Sequence, residues 1–350
     1  MKPNEEGIWF GESPDIYHSD AVYETPSLSS SLAKLLITET PRHAFWQSRR
    51  LNPKWRDTHK AAWDRGSAAH AIILNSGDRD KITVIKADDW RTKEAKELRD
   101  SARAEGLIPI LQKDRDDLFE MADCVAEQLD ALEGGNPLAV GSPEVTIRWK
   151  EELLTGDGQV VTVWCRGRLD FYNSESENLI DLKTSAGSMN PAHWARFTAW
   201  SIGAPTQAAF YKAGIRRLTQ LGLLRQHDAD FLFLLAQSAA PYCLGLVNFP
   251  PDIRQRFGEQ SADEKLTTAM LKWAECLQTG VWPGYDTSVY VAEGARPIVT
   301  RAPAPEQEPM KTDDPRYHVE SHDAARGLAP AVDVNDDRDT SWAKGLVGKR

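Results

Sequence analysis

The stretch Cys165–Ser185 reads CRGRLDFYNSESENLIDLKTS, and its spacing decides the fold. Val160 to Val163 lead through Trp164 into Gly167-Arg168-Leu169-Asp170, an apolar strand that ends in a carboxylate. After a polar turn, Leu179-Ile180 opens a second apolar run that ends in Asp181-Leu182-Lys183. Successive side chains on a strand point to opposite faces, so Asp181 and Lys183 share one. Leu182 between them marks the strand as half buried. If the two strands pair as a hairpin, Asp170 comes close to the same face. Two carboxylates and one ammonium then converge, forming a divalent-cation site with a cation beside it. Carboxylate oxygens suit Mg²⁺, and a neighbouring group can position or activate water, which is the equipment of phosphodiester hydrolysis. An isolated Asp-x-Lys is ordinarily a solvated face. Two strands that each deliver a carboxylate to one spot argue for chemistry.

Working outward, Ser29-Ser30-Ser31 before LAKLL reads as an N-capped helix ending near Pro41. Ala61 to Asn75 predicts a second helix with small residues at Gly66 to Ala69 and a histidine, His70, among apolar neighbours. Such a histidine is usually a core residue. Thr92 to Gly106 and Asp114 to Leu132 predict amphipathic helices, closed by the breaker Gly134-Gly135-Asn136-Pro137. Strands are expected at Glu144–Trp149, Val160–Tyr172, Leu179–Lys183, Asp230–Leu235 and Tyr242–Asn248. Pro191 to Trp200 reads as a helix or turn over the site. Ala204 to Leu218 is a helix on which Gln207 and Tyr211, four apart, share a face, with Arg216 and Arg217 further along. Ser261 to Gln278 is a long amphipathic helix. Helices before and after a mixed central sheet give an α/β sandwich.

The chain has 350 residues, 41% of them hydrophobic, enough for a large core in one or two domains. A net charge of −10 excludes a generally basic nucleic-acid coat, so any DNA contact uses a local patch. One candidate is Arg42, Arg49, Arg50, Lys54, Arg56, Lys60 and Arg65, set against only Asp57 and Asp64, with Trp46, Trp55 and Trp63 interleaved. Such residues hold phosphates and stack on bases. An exposed helical face with core tryptophans produces the same pattern. Cys124, Cys165, Cys243 and Cys276 show no CxxC pairing and fit reduced thiols. No GxxxxGK[ST] occurs, so ATP is not expected as a cofactor. MKPNEEGIWF is too polar for a signal peptide and no apolar run approaches the about 20 residues of a membrane span. A cytoplasmic protein with no membrane partner is expected.

Read together, GRLD, IDLKT and QAAFY (Gln207 to Tyr211) resemble the core of the PD-(D/E)xK nucleases. PSLSSSLAKLLITETPRHAFW, GSAAHAIIL and the WPGY at Trp282 to Tyr285 extend the likeness to the RecB-like branch, and especially to the exonuclease VIII (RecE-type) enzymes of phages and prophages. The resemblance covers roughly Tyr17 to Tyr290. It implies a restriction-endonuclease-like α/β fold, a central mixed β-sheet flanked by helices. It also implies that Asp170, Asp181 and Lys183 are catalytic. The metal shell would comprise His70, Asp170, Asp181 and the backbone carbonyl of Leu182, with Glu144 a further candidate. Gln207, Tyr211, Arg42, Arg49, Arg50, Arg65 and Arg168 would contact DNA. Mg²⁺ is the implied cofactor, with Mn²⁺ as its substitute. Some RecB-like enzymes carry an iron–sulfur cluster, but their cysteine arrangement is not matched here, so none is expected.

The function implied is 5′-to-3′ digestion of double-stranded DNA ends, leaving 3′ single-stranded tails for phage-type recombination. Its implied partners are duplex ends, a single-strand annealing protein, and further copies of the chain in a homo-oligomeric ring. The same motifs also serve endonucleases and single-strand-specific nucleases, and an accessory protein that binds DNA without cutting it is the alternative of another class. Residues 1–16 read as an N-terminal extension, 17–295 as the nuclease domain, and the proline-punctuated 296–350 as a disordered tail. Within that tail, Thr340 to Arg350 reads as a frayed end or a short partner-binding peptide.

Overall fold

Alternating apolar residues build a six-stranded mixed sheet at the centre of the protein, seen here in a computed structural model that describes residues 4–56, 61–225, 229–250, 252–254 and 260–286. The elements run β1 (Gly7–Trp9), α1 (Pro14–Ser19), α2 (Ser30–Thr38), α3 (Pro41–Gln47), α4 (Ala61–Ile73), β2 (Ile82–Ile85), α5 (Lys93–Ala104), β3 (Ile108–Leu111) and α6 (Gln112–Asp130). There follow β4 (Gly141–Leu154), β5 (Val160–Asn173), β6 (Leu179–Ser185), α7 (Pro191–His193), a π-helical turn (Trp194–Thr198), α8 (Ala199–Ile202), α9 (Ala204–Gln220), β7 (Phe231–Gln237), β8 (Leu244–Asn248) and α10 (Ala262–Thr279). The sheet order is β1-β4-β5-β6-β7-β8. Only the β6–β7 pair is parallel, because the chain crosses over through α7, α8 and α9 between those strands.

Each face of the sheet is buried by helices, which explains why its strands are apolar on both sides. On one face Val145, Ile147, Trp149, Val163 and Leu169 pack with Leu32 and Leu36 of α2, Phe210 and Ile215 of α9, and Leu266 and Trp273 of α10. Trp149 and Phe210, both fully buried, meet at a ring distance of 4.8 Å. Burial of each such side chain stabilises the fold by roughly 1.5–3 kcal/mol. On the other face Ile180, Leu182 and Leu234 pack with Ala68 and Ile72 of α4 and with Leu118, Met121 and Val125 of α6. The short parallel pair β2–β3 packs into this second layer.

The helix ends follow local chemistry. The Ser29 hydroxyl accepts from Leu32 N–H and starts α2. Ser261 and Glu264 form a reciprocal capping box on α10, and Gly280 at φ 70° ends that helix in the left-handed region.

In the stretch read as an N-terminal extension, Gly7–Trp9 pair antiparallel with Thr146–Arg148 as the edge of the sheet. Glu12 is ion-paired with the buried Arg148, whose guanidinium lies 4.3 Å from the Trp9 ring centre. Three residues are too few for an alternating pattern to register in sequence. The expected boundary at 295 and the tail over 296–350 lie outside the described residues.

Candidate active site

The antiparallel pairing of β5 and β6 spans only Phe171 with Ile180 and Tyr172 with Leu179. In that register the next pair is Asp170 opposite Asp181, and there the ladder opens into a fork. Beyond it β6 pairs in parallel with β7, from Leu179 to Ser185. The Leu182 N–H, released from β5, donates to Asp170 Oδ2 at 2.8 Å. Side-chain alternation along β5 changes phase at the same point. Leu169 and Tyr172 join the core against α9 and α10, while Phe171 joins the core against α4 and α6. Asp170 thus lies between the two helical layers. From α4, His70 Nδ1 reaches to 3.4 Å of Asp170 Oδ2.

Asp181 and Lys183 share one face of β6, as their spacing requires. Lys183 Nζ lies 2.5 Å from Asp181 Oδ2, at ion-pair distance but outside hydrogen-bond alignment. Gln207, in the first turn of α9, bridges the two: its Nε2 donates to Asp181 Oδ1 at 2.5 Å and its Oε1 accepts from Lys183 at 3.3 Å. The amide therefore holds carboxylate and ammonium in a fixed relation.

Electrostatics separate the two ionisable ends. Burial, reinforced by the Asp181 charge, pushes the Asp170 carboxyl up to about 6, against the opposing pull of His70 and Lys183. Burial pulls Lys183 down, but the Asp181 and Asp170 charges outweigh it and carry the ammonium above its ordinary value. In the metal-free chain Lys183 is therefore held as a cation beside this carboxylate pair.

The donor set suits a hard divalent cation. Asp170 and Asp181 offer carboxylate oxygens, and the buried Asp181 Oδ2 faces the Lys183 ammonium at 2.5 Å. Among the described residues no three His, Cys, Asp or Glu side chains gather into a metal cage. Glu144 sits opposite Asp170 in the β4–β5 register, between the pairs Pro143–Phe171 and Val145–Leu169. Its backbone has φ 54°, in the left-handed region, and its carboxylate accepts from Arg168 at 2.6 Å. It is engaged by that guanidinium.

The expected DNA contacts divide. Arg42 and Arg49 are exposed, and Arg49 stacks over Trp55 at 5.3 Å. Arg50, in contrast, donates to the backbone carbonyls of Asp20, Tyr23, Glu24 and Thr25 at 2.7–2.9 Å, clamping the N-terminal loop. Arg65 pairs with Asp114 at 2.8 Å and with Asp117 at 3.6 Å. Arg168 is held by Glu144 and the Glu12 carbonyl. Tyr211 is buried, and its hydroxyl donates to the Arg168 carbonyl at 2.8 Å. Arg50, Arg65, Arg168 and Tyr211 thus each have an intramolecular partner that spacing alone does not reveal. Lys60, Asp57 and the Trp63 side chain lie outside the described residues. A Cβ at Gly167 would meet the Tyr211 ring at 2.3 Å, so the glycine makes room for that ring. A glycine inside an apolar strand was its available signal.

Comparison with solved structures gives distant likenesses. A presumptive exonuclease from Eubacterium rectale is 13% identical with a TM-score of 0.46, covering 84% of this chain and 97% of its own. The protein SSO0001 is 12% identical with a TM-score of 0.24, covering 71% of this chain and 84% of its own. No curated protein matches. The model of the family described as PDDEXK-like domain of unknown function (DUF3799) matches residues 29–291, a span that opens at the cap of α2 and includes both aspartates and Lys183. On that match over most of its length, the chain belongs to the PDDEXK-like domain family.

Proposed function

We propose that the chain is a metal-dependent deoxyribonuclease acting on double-stranded DNA ends, 5′ to 3′, to leave 3′ single-stranded tails. The observation that carries the nuclease reading is the fork itself: Asp170 and Asp181 meet where β5 and β6 part, with Lys183 and Gln207 closed on Asp181. End specificity and polarity rest on the resemblance of the N-terminal motifs to exonuclease VIII-type enzymes.

Asp170, Asp181 and the Leu182 carbonyl would hold Mg²⁺ or Mn²⁺, with His70 beside them. The bound cation would polarise the scissile phosphate and stabilise the leaving oxygen. The chain's own residues do the rest. Gln207 orients the Asp181 carboxylate by its hydrogen bond and keeps Lys183 against it. Lys183, cationic at neutral pH, positions the attacking water and meets the negative charge that develops on the phosphate. His70 faces the Asp170 carboxyl and supports its ionised form. The reading implies recombination by strand annealing, with an annealing protein and a homo-oligomeric ring as partners, inside a cell. No helix among the described residues is long and apolar enough to cross a membrane.

The test is digestion of linear and covalently closed circular duplex with Mg²⁺ or EDTA, the linear substrate labelled separately at its 5′ and 3′ ends. Metal-dependent loss of linear DNA alone, with the 5′ label released first, supports the proposal. Cutting of the circle points to an endonuclease. Binding without cleavage of either substrate points to an accessory protein.

A further inference from the structure

Lys34 lies on α2, half buried, and the structure gives no reason for its charge. Its stem lies across Gly203, the left-handed residue (φ 73°) that joins α8 to α9: a Cβ at Gly203 would stand 2.9 Å from Lys34 Cδ and 3.3 Å from Cε. The Gly203 carbonyl accepts from Gln207 N–H at 3.0 Å, so the lysine crosses α9 one turn before the residue that bridges Asp181 and Lys183. Burial and the nearby Lys183 ammonium both push Lys34 down, and no carboxylate acts on it in return. Within the site, Asp181 is already engaged by Lys183 and Gln207. Among the described residues the Lys34 ammonium has no ion-pair partner, and the charge that acts on it is that of Lys183.

Placing a second ammonium in a partly desolvated position without a counter-charge is unfavourable unless something anionic completes it. The charge that a nuclease brings to this place is a backbone phosphate. We propose that Lys34 is a substrate-binding residue that holds a DNA phosphate next to the scissile one, against the Gly203 corner. This rests on the nuclease reading above. Glycine at 203 serves the same purpose in a second way. Any side chain there would be strained at its φ and would displace the lysine stem.

The test uses the full chain with Lys34→Met, which keeps an unbranched stem on Gly203 and removes the charge, and with Lys34→Arg, which restores charge. Binding of a labelled duplex oligonucleotide is titrated in Ca²⁺, to prevent cleavage, over a series of salt concentrations. For Lys34→Met the expected result is affinity weaker by about tenfold and a salt slope lower by about one, with Lys34→Arg recovering the slope. A merely structural lysine would change the melting temperature and leave the salt slope alone. If the wild type binds and cuts DNA and Lys34→Met leaves affinity and slope unchanged, this assignment is overturned while the nuclease reading stands. If the wild type neither binds nor cuts DNA, the nuclease reading falls and takes the assignment with it.

Discussion

The β5–β6 fork and the segment from Arg42 to Arg65 are both dense in charge, and the fold uses the two in opposite ways. In the fork, Asp170, Asp181 and Lys183 are gathered onto one spot with Gln207 tying them together. In the basic segment the charges disperse: Arg50 clamps the loop from Asp20 to Thr25, Arg65 answers Asp114, and Arg42 and Arg49 remain on the surface. The difference lies in geometry. A strand fixes which side chains share a face, and strand pairing brings distant residues into register. A run of short helix and turn fixes neither, and guanidinium groups with long stems find whatever carbonyl or carboxylate is within reach. Charge density along the sequence is thus a weak guide to which charges gather, and charge on a shared strand face a strong one.

The sharpest way to break this contrast is to remove a fork carboxylate. Asp181→Ala should reduce metal-dependent cleavage by about a thousandfold or more while leaving a folded protein, read from single-turnover rates beside thermal melting. Comparable rates in the variant would place the chemistry elsewhere. The next largest effect belongs to the bridging amide. Gln207→Ala should lower the cleavage rate by about 10–100-fold, the scale of losing an orienting partner, with DNA affinity little changed. A loss confined to affinity would return Gln207 to the role of a DNA contact.

The basic segment makes the opposite prediction. Arg50→Ala should cost about 1.5–3 kcal/mol of stability, since several charge-assisted hydrogen bonds to the loop carbonyls disappear together, yet leave the rate per folded molecule intact. Denaturant unfolding against specific activity separates the two. If activity falls and stability does not, Arg50 belongs to the DNA surface after all.

The smallest effect is set by protons. Asp170 holds its proton up to about pH 6 in the folded chain, against about 3.9 when unfolded. Between those values the folded state binds more protons, so Asp170 supports the metal-free fold most below pH 4 and loses that support as pH rises through 6. Asp170→Asn should therefore raise the melting temperature of the metal-free protein at pH 8 and change it little at pH 4. Binding of a divalent cation to the wild type must expel that proton, so its apparent affinity should climb with pH to about 6 and level off above. A flat titration would mean that Asp170 is not a ligand.

Much of the fold was legible because its elements obey simple periods. The apolar run ending in Asp181-Leu182-Lys183 could be read as a half-buried strand, and Gln207 and Tyr211 as one face of a helix, from spacing alone. Capping chemistry marked the start of α2 at Ser29 and of α10 at Ser261. What escaped was short or depended on partners. Gly7–Trp9 is an edge strand too brief to show alternation, and β2 and β3, four residues each, gave no clear period. Tyr211 shares the Gln207 face, yet only Gln207 reaches the aspartates. One turn along α9 the sheet closes over Gly167 and takes the phenol ring into the core.

The sequence by itself determined the strands and helices, the common face of Asp181 and Lys183, and the order of motifs that places the chain in its family. Only the tertiary structure decided that the ladder opens at Asp170 and Asp181, and that Glu144 turns to Arg168. It alone laid the Lys34 stem on Gly203, at the corner that leads into Gln207. Periodicity is a property of neighbours along the chain, so it survives in sequence. Which charge meets which is settled by packing between segments far apart in it, and there burial and competing partners choose.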